Sequence, residues 1–358
     1  MRRIYLLIVF VISVIFIKAQ DYHFSQFNEN PSLVNPALTG IDKPLRASLV
    51  YKNQWRSVTV PYQTYGFSFE SKFKPGNWET VDSRRSMTFK KSYSRMAGGL
   101  SMYKDNAGDG NLSTFQTNAS LAMLFPFNKN HSLSFGLQGS ISQKKLNSGS
   151  LIYPNQYNGS TYDASILSDE NNVSQVRIYP EFSSGVAWVF GHEEKTISSG
   201  DQLFGTLGFS VYHINKPRIN FTDTRVREYR KYVTHGSITI GINNTKLAVV
   251  PSWLLQFQGP SKEIIIGGLV KYYFKDGSKY TGINKKCAFR FGGYYRNYDA
   301  VVASVTYDGP TYSIGFNYDT NISGLSTVSK TRGGFEINLK FFSPSAFLYQ
   351  RKSKKSSI

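Results

Sequence analysis

Cysteine is nearly absent: Cys287 stands alone in 358 residues. That excludes an intramolecular disulfide and any cysteine-held zinc or iron–sulfur cluster. Histidine is sparse, and His23, His131, His192, His213 and His235 are scattered. No G-x-S-x-G elbow occurs, and the pairs Glu193-Glu194 and Asp169-Glu170 sit in polar connections, so no catalytic residue, metal ligand or cofactor is expected. Acidic residues are few, 23 against 42 Lys plus Arg, for a formal charge of +19. Long apolar runs are missing beyond Phe16, and the mean hydropathy is −0.32. A helical membrane bundle, which needs about 20 apolar residues per span, is therefore excluded. Disorder is excluded as well, because the chain is 40% hydrophobic and 15% aromatic and has ample surface to bury.

What is present begins with Arg2-Arg3, an apolar stretch from Ile4 to Phe16 interrupted only by Ser13, and Lys18-Ala19-Gln20. This reads as a secretory signal peptide over residues 1–20, too short for a comfortable membrane span. Its removal would take Arg2, Arg3 and Lys18 and leave 19 − 3 = +16, so export does not account for the basicity.

After the signal, period-two alternation dominates. Leu133, Phe135, Leu137 and Ile141 alternate with Ser132, Ser134, Gly136, Gln138, Ser140 and Ser142. The same pattern recurs in Val301–Asp308, Tyr312–Asp319 and Phe335–Phe341. Fourteen strands are expected, starting near Arg46, Tyr62, Arg95, Leu112, Ser132, Pro180, Leu203, Tyr232, Lys246, Lys262, Cys287, Asp299, Tyr312 and Gly333. An even count, strands of about ten residues and aromatic residues near strand ends (Tyr51, Tyr103, Phe125, Tyr272, Phe274, Tyr294, Tyr307, Phe341) predict an all-β fold. It is an outer-membrane-type transmembrane antiparallel β-barrel spanning 46–342, preceded by a segment at 21–45 and followed by a basic tail at 343–358. A soluble β-sandwich would alternate too, but would not need so many aromatics at strand ends. With 21–45 starting in the periplasm, the connections 128–131, 243–245 and 308–311 are periplasmic and short, and 146–179 and 215–231 are external and long. Two connections, 72–94 and 275–286, are periplasmic yet long.

In the segment before the barrel, Asn30-Pro31 and Asn35-Pro36 force extended or turn geometry, while Phe24, Phe27, Leu33 and Val34 need burial. The segment is read either as a plug packed against the barrel or as a periplasmic tether. The run Asp105-Asn-Ala-Gly-Asp-Gly110 begins like a calcium loop. It has Ala107 where a ligand belongs and Gln116 in place of the closing Glu, so a glycine-permitted hairpin turn is expected, with Asn106 and Asp109 facing outward.

Four ordered motifs carry a resemblance. They are Asp21-Tyr-His23-Phe24-Ser-Gln26-Phe-Asn-Glu-Asn30-Pro31 with Val34-Asn35-Pro36-Ala-Leu-Thr-Gly40; Tyr51-Lys-Asn-Gln-Trp55; Asp105–Leu112 with Gly108 and Gly110; and Tyr318–Leu325 running into Gly333-Gly334-Phe-Glu-Ile337. Together they resemble the PorP/SprF-type outer-membrane proteins of type IX secretion and gliding motility, across the whole mature chain. Asn28 stands where that family usually has Tyr. The resemblance implies a monomeric, non-enzymatic outer-membrane barrel that helps deliver or retain sorting-domain proteins, such as adhesins, at the cell surface. A small-molecule uptake channel and a barrel hydrolase are the alternatives.

The basic charge is clustered. Arg84, Arg85, Lys90, Lys91 and Arg95 crowd one connection; Lys271, Lys275, Lys279, Lys285 and Lys286 another; Arg351, Lys352, Lys354 and Lys355 the tail. All three are placed on the periplasmic side. Lys216, Arg218, Arg225, Arg227, Arg230 and Lys231 form an external cluster. These charges either stay solvated and touch lipid phosphates, or dock a periplasmic component of the secretion machinery and hold cargo outside. Trp55, Asn106, Asp109, Arg84, Arg85, Lys90, Lys91, Arg225, Arg227, Arg230 and Lys231 are the partner-binding candidates. Nucleic acid is not expected, because export removes the basic surface from it.

Overall fold

A computed structural model of the chain describes residues 24–41, 43–57, 60–73, 95–108, 112–128, 130–146, 153–163, 165–166, 175–192, 200–219, 226–275, 287–324 and 326–343. Fourteen strands follow one another: β1 (Leu45–Gln54), β2 (Tyr62–Lys72), β3 (Arg95–Ala107), β4 (Leu112–Pro126), β5 (His131–Leu146), β6 (Gln175–His192) and β7 (Leu203–Tyr212) form the first half. The second half is β8 (Lys231–Gly241), β9 (Leu247–Gln258), β10 (Ser261–Lys275), β11 (Cys287–Arg296), β12 (Ala300–Asp308), β13 (Tyr312–Asn321) and β14 (Arg332–Ser343). Each pairs antiparallel with its sequence neighbours. β1 closes on β14 from Leu45↔Ser343 to Gln54↔Gly334, so the sheet is a closed barrel. Closure matters in lipid, where an open edge would leave backbone groups without partners at several kcal/mol each.

Burial is inverted relative to a soluble protein. On β5, outward Leu137 and Ile141 are 69% and 62% exposed, whereas inward Ser140 and Ser142 are 5% and 1% exposed. Outward Leu49, Phe69, Leu100, Leu121, Phe182, Ile266, Phe291, Phe316 and Phe341 continue the apolar band around the barrel. Such a surface is at rest only in hydrocarbon. Aromatic belts mark its two edges. Phe274, Phe289, Tyr307 and Tyr312 pack in a chain near the rim that holds the start of β1, with centroid spacings of 5.2 to 6.2 Å. Tyr51 packs on Tyr65 and Phe335, and Trp55 on Tyr62, near the opposite rim.

The start of β1 and the end of β14 share one rim, here the terminal rim. The short connections 127–130, 242–246 and 309–311 join strand ends on it, and the long connections 147–174 and 213–230 join strand ends on the far rim. The largest departure from the expected strand starts is β6, which begins at Gln175 rather than Pro180. β5 runs on to Leu146 and pairs it with Gln175, and Pro180 is tolerated because its missing N–H falls on the edge facing away from β5. That edge is closed by Ile214, whose N–H donates to the Phe182 carbonyl, and by Asn215, whose amide donates to the Pro180 carbonyl and accepts from the Phe182 N–H.

Candidate functional site in the barrel lumen

Residues 24–41 lie inside the barrel. Three short helical turns, Phe27–Glu29, Pro31–Val34 and Pro36–Leu38, fold the segment into a compact knot. Pro31 and Pro36 each open a turn, where the missing N–H is harmless and the fixed φ suits the helix. The Asn35 side chain caps the third turn by accepting from the Ala37 N–H at 2.9 Å. Phe24, Phe27, Leu33, Ala37 and Leu38 are all buried. Phe27 packs edge-on against Tyr294 and joins Val233, Leu254, Ile265 and Val302 in a core that fills the lumen on one side. A cavity of about 30 Å³ remains between Phe24, Phe27, Leu33 and the β8–β9 wall.

Inward-facing hydroxyls and ammonium groups satisfy the segment's own carbonyls. Tyr212 donates to Leu33 O, Ser210 to Val34 O, Ser134 to Ala37 O and Lys72 to Ile41 O, at 2.7 to 3.2 Å. A buried coil must find such partners, since each orphaned polar group costs about 1–3 kcal/mol. The Asn35 amide reaches the carbonyls of Val186 and Phe209 at 3.0 and 3.3 Å and His235 Nε2 at 3.0 Å.

Glycines form the seat. A Cβ on Gly136 would stand 2.2 Å from Ala37 N, one on Gly185 2.0 Å from Asn35 Oδ1, and one on Gly208 2.7 Å from Asn35 Nδ2. No side chain fits between the segment and the wall at these three points.

Charge fastens the segment at three further places. Glu29, fully buried, pairs with Arg290 at 2.7 Å and with Lys340; Arg290 in turn pairs with Asp308, which also meets Lys271. Burial alone would raise the Glu29 carboxyl pKa, but Arg290 and Lys340 outweigh it and hold that pKa well below the ordinary carboxylate range. Toward the far rim, the Ser25 N–H donates to Glu336 and its hydroxyl to Asp319, at 2.7 and 2.8 Å, and Asp319 is held by Arg296 and approached by Lys52. On the β1–β2 side, Glu70 accepts from the Gly40 N–H at 2.8 Å and from Arg46 at 2.6 Å.

The sequence candidates therefore separate. Phe24, Gln26, Asn30, Pro31, Asn35, Pro36 and Gly40 all belong to the lumenal segment and are brought together. Gly40 takes a left-handed φ of +66° as the chain turns toward β1. Gly108, at φ +60°, turns β3 toward β4, and Gly334 faces the lumen at the β1–β14 seam with Asn53 O close by. Trp55 stands on the far rim, edge-on to Tyr62. Asn106 is partly buried at the far end of β3, Arg227 and Arg230 are exposed, and Lys231 turns inward over the Tyr212 ring. His23, Arg84, Arg85, Lys90, Lys91, Asp109, Gly110 and Arg225 lie outside the described residues.

Sequence reasoning missed the receptors on the wall: Glu70, Arg290, Arg296, Asp319 and Glu336, and the glycine seat. Alternation places these residues on the lumenal face, but a polar residue facing water and one facing a plug give the same pattern.

The chain matches, over residues 16–341, the family described as type IX secretion system membrane protein PorP/SprF. No curated protein matches it. Among solved structures, it is similar to BamA from Haemophilus ducreyi lacking POTRA domains 1–3, with 10% identity and a TM-score of 0.40 over 84% of this chain and 70% of that one. It is also similar to a FadL homologue from Pseudomonas aeruginosa, with 11% identity and a TM-score of 0.37 over 86% and 92% of the two chains. CdiB from Escherichia coli gives 11% identity and a TM-score of 0.40 over 83% and 63%.

Proposed function

The chain belongs to the PorP/SprF family of type IX secretion system membrane proteins, and from that premise we propose that it is a non-enzymatic outer-membrane anchor, exported by its N-terminal signal, that supports secretion or surface attachment of particular sorting-domain proteins such as adhesins. In this reading the terminal rim faces the periplasm and a component of the secretion machinery, docked by the basic connection bearing Arg84, Arg85, Lys90 and Lys91. The far rim, with exposed Arg227 and Arg230 and partly buried Trp55, faces the cargo.

The observation that carries the reading is the occupied lumen. An uptake channel needs a continuous aqueous path, whereas here residues 24–41 occupy part of the lumen and are fastened to its wall by ion pairs and by carbonyl acceptors. A barrel occupied in this way is suited to hold something at its rims rather than to pass something through its middle. Deletion of the gene followed by a surface proteome tests this. The expected result is selective loss of a few sorting-domain proteins from the cell surface, with the remaining surface proteins unchanged. An unaltered surface proteome, or a growth defect repaired by a small nutrient, would contradict it.

A further inference from the structure

The lipid-facing wall is not uniformly covered. Across β2–β6 a groove of about 680 Å³ is sunk into it, walled by Phe69, Leu100, Leu121, Leu137 and Phe182. Its floor is made of small outward residues, Ala119, Gly139 and Ser184, while the Phe73 ring lies over Gly98 at one end. Gly139 is telling. In the outward series Leu133, Phe135, Leu137, Gly139, Ile141 it is the one position without a side chain, and a Cβ placed there would meet nothing within 4 Å. Glycine inside a strand weakens it and often marks a bulge, a bend or a place where a ligand or another backbone comes close, and the register at Gly139 runs without a shift on both sides. Among the described residues, none fills the space that Gly139 leaves.

Toward the far rim, on the same outward face, the register builds two adjacent rungs with one lysine each: Tyr65–Lys104–Phe115–Gln143 and, one step beyond, the polar Gln63–Asn106–Ser113–Lys145. Lys104 and Lys145 are exposed, and none of these eight residues is acidic. From Leu100 to Lys104 and from Gly139 to Lys145 the strands rise about 13 and 20 Å, comparable to one leaflet of a hydrocarbon core about 30 Å thick. Two exposed lysines near the far rim therefore stand about one acyl-chain length from an apolar groove that no described residue fills.

We propose that this face is a binding site for a phosphorylated, multiply acylated lipid of the leaflet at the far rim. Its phosphate is held by Lys104 and Lys145, with Asn106, Ser113 and Gln143 as further donors, and an acyl chain occupies the groove over Gly139. The charge selects an anion, and the apolar lining of the groove selects a hydrocarbon chain rather than a free phosphate.

The test uses the full-length protein in detergent, titrated with diphosphorylated lipid A and followed by native mass spectrometry. Dephosphorylated lipid A and inorganic phosphate are the comparison ligands, and Lys262→Glu, an outward lysine on β10, is the control variant. Lys104→Glu/Lys145→Glu and, separately, Gly139→Phe are expected to lower lipid occupancy about tenfold or more, with the control unchanged and inorganic phosphate not retained. Heat-dependent gel mobility reports whether each barrel is folded. Should either variant not fold, Lys104→Gln/Lys145→Gln and Gly139→Leu replace it. Equal occupancy in all variants overturns the site, as does equal affinity for the dephosphorylated lipid. Loss of a co-purifying membrane protein in Gly139→Phe with lipid binding intact would assign the groove to a protein and overturn it too.

Discussion

Gly136 and Gly139, three residues apart on β5, show what a single position means in this barrel. Gly136 faces the lumen, where a Cβ would stand 2.2 Å from Ala37 N and 2.3 Å from the Pro36 carbonyl carbon; Gly139 faces outward into open space. Gly136→Ala must push the lumenal segment away, at about 1–3 kcal/mol for an overpacked core. Gly139→Ala should leave folding unchanged. Limited proteolysis at the segment checks this: faster cleavage in Gly136→Ala alone is expected, and equal rates in both would contradict the packing described. The sequence placed Gly136 correctly among the small and polar lumenal residues of its strand. It could not show that Gly136 touches Ala37, because that contact joins residues about a hundred positions apart and leaves no local periodic trace.

At the scale of elements, the strands were far more legible than the segment inside them. Two-residue alternation is enforced along the whole height of a wall with lipid on one side, so starts such as Tyr62, Arg95, Leu112, Leu203, Cys287 and Tyr312 could be read directly and are found at those residues. The β6 start was misread because Pro180 looks like a boundary when no pairing partner is known. The segment 24–41 has no period. Its burial could be inferred from Phe24, Phe27 and Leu33, but its partners, Glu70, Arg290 and Glu336 among them, could not. Its attachment has a defined pH dependence. Glu29 has a pKa depressed by Arg290 and Lys340, so the unfolded carboxyl binds protons more readily than the native one. The stabilisation is present above the ordinary carboxylate pKa and is lost as pH falls through the lowered native value. Protease protection of the segment should therefore hold at neutral pH and fail only under strongly acidic conditions. Glu29→Gln should weaken it at neutral pH, since breaking a buried pair costs about 3–5 kcal/mol. Protection that fades between neutral and mildly acidic pH would contradict this assignment.

For the whole molecule, basic residues that the structure describes include an inward, paired set and an exposed set. Arg46, Lys52, Lys271, Arg290, Arg296 and Lys340 are spent inside the lumen against Glu29, Glu70, Asp308 and Asp319. Lys104, Lys145, Arg227 and Arg230 remain exposed toward the far rim. In the reading proposed above, a lumen whose charges are paired in this way is closed, and exposed basic residues stand at both rims, Lys246 and Lys275 on the terminal one among them. Planar-bilayer recording of the purified full-length protein tests that account most directly. The wild type is expected to show no porin-scale conductance, and Glu29→Gln combined with Gly136→Ala to show intermittent openings. A stable, open, porin-like conductance in the wild type would contradict it.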